Sequence, residues 1–310
     1  MKFYAPGKLM ISGEYLVLDG AHALGLPCKY GQYLEVVEGE INTKPKLFWT
    51  SYDHNRTQWF SAKFAINDIN IECISTENNY TSDVLVKLLQ IILKNKPNIF
   101  QKHTDYYVKT SLKFNRDWGL GSSSSLIATL AAWSGVNAYK LLEYSFGGSG
   151  YDVAIAQHKT PILYQNINRK RTITSVELRW KFKDKLFFIY QNRKQNSQEQ
   201  IRNYRALKKP NIHLIDQISQ IGFDLSNCSK LEEFESLLTR HELLLAQQLK
   251  KDPLAKTFPQ FNGLVKSLGA WGGDFFLATG NSEDMTYFKN KGFDTILTFD
   301  QLFDTWKSMK

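Results

Sequence analysis

Residues 117–133, DWGLGSSSSLIATLAAW, decide how this chain is read. Gly119 and Gly121 let the backbone turn tightly and approach a ligand, and Ser122, Ser123, Ser124 and Ser125 follow at once. From Leu126 the apolar residues recur as in a helix, so the serines occupy its first turn. Such an entrance gathers N–H groups without intrahelical partners, several hydroxyls and the positive end of the helix dipole. Phosphate binding is the chemistry this combination favours. The alternative is an ordinary buried helix capped by Ser122 or Ser123. No Gly-Lys-Ser/Thr closes the loop and no protein-kinase catalytic set occurs, so a Walker-type cradle and the protein-kinase arrangement are both excluded.

At 310 residues, with 43% hydrophobic and 22% charged residues, the chain reads as a soluble globular protein of two domains. The boundary is expected at residues 180–185, where charge is dense and the pattern restarts, giving domains 1–180 and 181–310. No apolar run approaches the roughly 20 residues that span a bilayer. Lys8, Glu14 and Asp19 interrupt the start too early for a signal peptide. A cytoplasmic protein without a membrane partner is expected. Cys28, Cys73 and Cys228 lie far apart with no CxxC, which argues against a disulfide framework or a zinc site.

The net charge of +9 is local: residues 169–209 hold 13 Lys and Arg against Glu177, Asp184 and Glu199, a net +10. Such a segment draws anions. A solvated charged face explains it as well, and a small phosphorylated ligand is the functional reading. No helix-turn-helix, zinc-finger or RNA-binding motif accompanies it, so no nucleic-acid partner is expected.

Along the chain, residues 2–4 and 9–11 read as short strands around a Pro6-Gly7 turn that would fix Lys8, or leave it as a surface lysine. Residues 16–18 form an apolar run before Asp19-Gly20, a hairpin signal. Residues 33–37, 46–50 and 59–64 alternate like an antiparallel meander, 81–93 have helical spacing, and a strand over 106–112 leads into the serine loop. After a short helical piece at 135–144, Gly147, Gly148, Ser149 and Gly150 form a second turn ending at Asp152. That carboxylate either caps the segment 153–158 or faces a ligand. Strands follow at 161–165, 171–178 and 186–190, then a Ser197-x-x-Gln200 capping box opens a helix reaching 207. Residues 231–249 form the clearest amphipathic helix, on which His241 reads as structural. A last glycine cluster at 267–274 precedes a strand at 275–278, a helix at 285–289 and a strand at 293–299. Strands dominate the start and middle, and the tail alternates, which is an α+β pattern.

Four motifs, APGKLMISGEY at 5–15, GLGSSSS at 119–125, GGSGYDVA at 147–154 and SLGAWGGD at 267–274, together resemble the GHMP superfamily of galactokinase, homoserine kinase, mevalonate kinase and phosphomevalonate kinase. They span the chain in the superfamily's order, and the likeness to phosphomevalonate kinases is nearest, with mevalonate kinases second. The resemblance implies a two-domain α+β fold, with a mixed first domain carrying a left-handed βαβ crossover and a ferredoxin-like second domain. It implies an ATP-dependent kinase acting in the cleft between them on a mevalonate-pathway metabolite, phosphomevalonate or mevalonate. The superfamily also contains catalytically inactive ligand-binding or regulatory relatives, which supply the rival reading.

By the same resemblance, Gly119, Leu120, Gly121, Ser122, Ser123 and Ser124 would lie over the ATP phosphates, and Lys8 and Asp152 beside the acceptor. Asp152 would orient or deprotonate the attacking oxygen, with Lys8 keeping it ionised. Glu14, Tyr15, Gly148, Ser149, Gly150, Gly272 and Gly273 would line the substrate, with Arg193 and Lys194 for a second phosphate. Mg2+ would be held by Ser123 and by Glu143, the carboxylate available just before Gly147. The expected partner is a small anionic hydroxy acid or phosphorylated substrate, on a monomer or homodimer. Two departures stand out: the stretch between the serine loop and Asp152 is short for the superfamily, and Trp271 stands where it has a glycine.

Overall fold

Alternating burial in the early strands and helical apolar spacing later in the chain produce an α+β fold, and the computed structural model describes residues 1–303. The chain runs through β1 (Lys2–Ser12), a 3-10 turn (Leu16–Asp19), β2 (Ala23–Ile41), β3 (Lys46–Tyr52), β4 (Gln58–Ile66) and β5 (Ile71–Thr76). Helix α1 (Asn79–Asn95) and β6 (Thr104–Leu112) lead to α2 (Ser122–Ser134), α3 (Ala138–Glu143) and α4 (Tyr151–Gln157). Next come β7 (Ile162–Ile167), β8 (Lys170–Ser175), β9 (Leu186–Tyr190), α5 (Ser197–Arg205), α6 (Ile212–Asn227) and α7 (Leu231–Leu249). The described chain closes with β10 (Val265–Ser267), β11 (Phe275–Thr279), α8 (Thr286–Lys289), β12 (Ile296–Thr298) and α9 (Phe299–Leu302). Residues 304–310 of the expected second domain lie outside the described residues.

Two compact units form from discontinuous pieces: Met1–Gly7, Tyr30–Arg116 and Gly121–Gln157 make the first, and Lys8–Lys29, Asp117–Leu120 and His158–Lys310 the second. In the first, strands β5-β4-β3-β6-β2 form a mixed sheet in which β3 and β6 run parallel and the other neighbours antiparallel. Period-2 alternation puts Leu34, Val36, Leu47, Trp49, Phe60 and Phe64 on one face, where Leu85, Leu88, Leu89 and Ile92 of α1 and Ile127 and Leu130 of α2 meet them. Asn78 caps α1 by accepting from the Thr81 amide at 3.0 Å. The polar tip of buried Trp49 is satisfied by Ser51 Oγ at 2.9 Å.

In the second unit the first residues of β2 pair antiparallel with β7, and β7 with β8. A separate antiparallel sheet has the order β10-β11-β9-β12. Helix α7 buries Phe234, Leu238, Leu245 and Leu249, and Trp180 meets Phe234 edge-on while donating to the Leu225 carbonyl at 2.6 Å. Among the described residues no helix is long and apolar enough to cross a membrane.

Several local expectations change. Residues 2–12 form one continuous strand, so there is no Pro6-Gly7 turn and Lys8 lies within β1. The run 16–18 is a 3-10 turn that ends at Gly20 in the left-handed region (φ 100°), so Asp19-Gly20 closes a helix and makes no hairpin. The α5 cap is Asn196, which accepts from the Gln198 and Glu199 amides, and Ser197 is already the first helical residue. Helix α6 went unread although Asn211 caps it and Ile218, Ile221 and Leu225 supply a buried stripe. The core arrangement implies that Leu88→Ala, at a fully buried α1 position, costs about 2–5 kcal/mol of stability, read as a shift of the denaturant midpoint at unchanged m-value.

Candidate active site

The first unit builds the entrance of α2. Its N-cap is Gly121 at φ 85°, with no side-chain cap bond to the first amides. A serine or aspartate at that position would have occupied one of those amides, whereas glycine leaves them for an external acceptor. The serines divide into two pairs. Ser124 and Ser125 turn inward: their hydroxyls donate to the Gly121 carbonyl at 2.9 and 3.0 Å, and Ser125 Oγ also lies 2.8 Å from Gln32 Oε1. Ser122 is half-buried and Ser123 exposed at the helix start. Ser124, expected at the phosphates, is thus 5% exposed and fixes the loop from within.

Helix α4 starts at Tyr151, whose amide is accepted by Ser149 Oγ at 3.3 Å, so Asp152 stands inside the first turn and does not cap it. The neighbouring Val153 to Ala156 are buried and hold the helix, while Asp152 is exposed. Gly147 and Gly148 have φ of 67° and 99° with open space where a Cβ would be, so they are required by the turn and not by close packing. Glu143 is exposed at the end of α3.

In the second unit a further set of expected residues comes together. The Lys8 amide donates to the Leu120 carbonyl at 2.9 Å, joining β1 to the start of the glycine-serine loop. A Cβ on Gly119 would lie 2.3 Å from Asp274 Cγ, so only glycine fits there. Asp274 itself takes φ 55°, donates its amide to the Arg193 carbonyl at 2.7 Å and accepts from the Gln195 amide at 3.2 Å. Gly273 lies against the same segment, since its Cβ would be 2.6 Å from the Arg193 carbonyl. Gly272 is exposed, with Gln195 Nε2 3.0 Å from where its Cβ would be. Lys194 reaches Asp117 at 3.5 Å, and the side chains of Arg193 and Lys194 are exposed. The basic segment that contains them is mostly at the surface.

Beneath these loops lies a charged cluster that sequence reading missed. Lys266, fully buried on β10, donates to Glu14 Oε1 and to the Ser267 carbonyl, both at 2.6 Å. His241 Nε2 accepts from the Gly13 amide at 2.9 Å, which fixes a neutral ring protonated on Nδ1, and lies 3.3 Å from Glu14 Oε2. Burial, then Lys266, holds the His241 pKa well below its ordinary value. Glu242 Oε1 accepts from the Leu254 and Ser267 amides at 3.2 and 3.3 Å. Glu14, expected to touch substrate, is 1% exposed and turned to this cluster.

Tyr15 follows at φ 60° and ψ −48°, and the Leu16 amide closes onto the Glu14 carbonyl at 2.6 Å. This is a γ-turn of the rare, strained hand, held by the buried groups on either side. The Tyr15 hydroxyl accepts from the Trp271 amide at 3.2 Å, and burial pushes the phenol up to about 12. Trp271 turns its ring inward at 3% exposure.

Among the described residues no cluster of three His, Cys, Asp or Glu side chains could hold a metal ion. Ser123 and Glu143 offer one hydroxyl and one carboxylate in the first unit, both exposed. A hydroxyl and a carboxylate are oxygen ligands of the kind Mg2+ takes, a metal that keeps several waters and few protein ligands.

The fold assembled from these elements is that of the GHMP kinases. The chain is similar to the mevalonate kinase of Methanococcus jannaschii, with 18% identity over 96% of each chain and a TM-score of 0.67. It is similar to the Streptococcus pneumoniae phosphomevalonate kinase solved with phosphomevalonate and AMPPNP, at 16% identity over 96% of this chain and 99% of that one, TM-score 0.69. A galactokinase from Lactococcus lactis, solved with galactose, matches at 14% identity over 96% of this chain and 92% of that one, TM-score 0.63. No protein-family model matches the chain, and no curated protein matches it in sequence.

The buried cluster sets a pH dependence. Burial pushes the Glu14 carboxyl up to about 7 from 4.5, against the opposing pull of Lys266. Folded chains then hold a proton that unfolded chains have released, so this contribution is full below about pH 4.5 and is lost as pH rises through about 7. Relative to Glu14→Gln, the wild type should lose stability across that window, at no more than about 1.4 kcal/mol per pH unit. Denaturation curves at stepped pH measure it, and a flat difference rejects it. At pH 8, Lys266→Met should cost about 3–5 kcal/mol by leaving a buried carboxylate without its cation.

Proposed function

We propose that this chain is an ATP-dependent small-molecule kinase whose acceptor is a mevalonate-pathway metabolite, phosphomevalonate or mevalonate. The observation that carries the reading is the α2 entrance, where a glycine cap leaves the first amides to an outside acceptor and Ser122 and Ser123 stand at the opening. The likeness to a phosphomevalonate kinase solved with AMPPNP supports the nucleotide and the acceptor class.

Phosphoryl transfer demands mainly positioning and stabilisation of charge on the moving group. In this reading Gly119, Leu120, Gly121, Ser122 and Ser123 cradle the ATP phosphates. Ser124 acts from behind by holding the Gly121 carbonyl. Asp152, offered to solvent by a helix that Tyr151 and Val153 to Ala156 anchor, orients the acceptor oxygen and accepts its proton. Lys8, fixed by its backbone to Leu120, stabilises the charge that develops. Gly148, Ser149 and Gly150 shape the acceptor side next to Asp152, and in the second unit Tyr15, Gly272 and Gly273 are assigned to substrate. Glu14 contributes by fixing the Tyr15 turn. Arg193 and Lys194 attract the acceptor's anionic group. Mg2+ would be held by Ser123 and Glu143 and would neutralise phosphate charge when bound with ATP.

An ATP-consumption screen with Mg2+ against mevalonate, phosphomevalonate and related hydroxy acids tests the reading. Turnover with one of them is expected. Asp152→Asn should lower kcat by about 10²–10⁴ with nucleotide affinity kept, and Lys8→Met should lower kcat more than it raises the KM for ATP. Nucleotide binding without turnover on any acceptor would favour the ligand-binding rival, and unchanged turnover in Asp152→Asn would remove the assigned base.

A further inference from the structure

The sheet of the first unit packs one face under helices, and the alternate side chains of the same strands point the other way. Register brings rings together at the middle of that open face: Phe48 pairs with Tyr107 across β3 and β6, and the rings stack at 5.0 Å and 11°. Cations lie over the rings on both sides. Lys63 is 5.3 Å from the Phe48 ring, Lys109 4.9 Å from Tyr52 and Lys2 4.8 Å from Tyr33. Tyr107 keeps 48% of its surface exposed. A cavity of about 490 Å³ is lined by Tyr33 and Tyr52 with Arg56, Lys109 and Lys113. Its two carboxylates are both engaged: Glu35, opposite Lys109 in register, pairs at 2.9 Å with Lys2 of the same lining, and Asp53 accepts from the Asn55 and Thr57 amides at 2.9 and 2.8 Å.

We propose that this face binds single-stranded nucleic acid, with bases stacked on the rings and phosphates drawn to Lys63, Lys109, Lys113 and Arg56. Rings interleaved with cations are what a flexible strand of bases and phosphates requires, because every base has a stacking face and every linkage a charge. Exposed cation–ring contacts are weak, so a lysine can swing from its ring to a phosphate and uncover the ring for a base. The alternative occupants fit less well. A second copy meeting this face symmetrically would oppose cation to cation. A mononucleotide would use one ring and cation pair, yet such pairs recur from β2 to β4, across three strand gaps or about 14 Å. The absence of a sequence motif does not oppose the proposal, since the rings, Lys63 and Lys109 sit at alternate positions of separate strands and only register assembles them. Helix α2 packs on the opposite face, so this inference stands apart from the kinase reading.

Fluorescence anisotropy with labelled oligo(U) and oligo(dT) of about 12 nucleotides, titrated with the full chain at about 50 mM NaCl, tests it. Saturable binding of either strand, tighter than that of a duplex of equal length, is expected. The double variant Lys109→Gln/Lys113→Gln should weaken it about tenfold and flatten the log–log salt dependence by about 1.4. Tyr107→Ala should weaken it roughly 5- to 100-fold with the salt dependence unchanged. Should a lysine variant fail to fold, Lys63→Gln on β4 repeats the charge test, with a slope change of about 0.7. Absence of saturable binding overturns the proposal. So does equal retention of duplex or of phosphatidylserine vesicles, or displacement by equimolar AMP. Binding that survives these variants and is abolished by Lys181→Gln/Lys183→Gln would place it in the basic segment 169–209 and overturn it too.

Discussion

The contact between Lys266 and Glu14 is the constraint on which the second unit's loops depend. The two residues are 252 positions apart and meet at 2.6 Å, fully out of water. Taking two charges from water costs more than a simple attraction returns, so such a pair persists only where further hydrogen bonds complete it. Here Lys266 also donates to the Ser267 carbonyl, and the next turn is fixed by the Gly13 amide on His241. A hydrophobic pair of the same volume could be equally stable, but it would not select one directional contact between residue 14 and residue 266. The pair ties the end of the strand that carries Lys8 to the start of the last glycine loop, and so sets where both begin.

From that tie the strain at Tyr15 becomes intelligible. A γ-turn of the unfavourable hand unwinds unless its flanks are over-determined. Glu14 is locked on one side, Leu16 and Val17 are buried on the other, and the Tyr15 hydroxyl takes the Trp271 amide. Three residues after Trp271 comes Asp274, which also sits at positive φ and fills the space that Gly119 leaves by lacking a Cβ. Two non-glycine residues in left-handed backbone, each against an expected site segment, show that these loops are held in costly shapes by their surroundings. Trp271 belongs to this arrangement through its backbone, and its ring adds packing below the loop.

Sequence reading found what is local. The α2 entrance was legible because glycines, serines and an apolar helical run are adjacent, and α7 because its stripe is long and regular. Lys8 and Asp152 are candidates that motif likeness singles out, and the fold sets one in a continuous strand and the other inside a helical turn. Lys266 was not legible, since a lysine between Val265 and Ser267 looks like the solvent face of a short strand and its partner is remote. The sorting of the four serines also needs the fold, because it is the helix turn's Gly121 carbonyl, and for Ser125 also Gln32 on a distant strand, that draws two of the hydroxyls inward. Helix α6 was a different kind of miss. Its Asn211 cap and its apolar stripe both stand in the sequence as local signals.

The molecule handles cations in two contrasting ways, and salt separates them. On the open sheet face of the first unit, lysines rest on rings in contact with water, where charges more than about 8 Å apart are screened at physiological ionic strength. Their attraction for an anion fades as salt rises. Lys266 and Glu14 are closer together than that and have no water between them, so ions cannot enter to screen the pair. Raising salt therefore weakens what the surface cations attract while leaving the loop scaffold fixed. This follows from burial alone: the same residue type acts as a labile contact at 4.9 Å from a half-buried ring and as a lasting brace at 2.6 Å from a buried carboxylate.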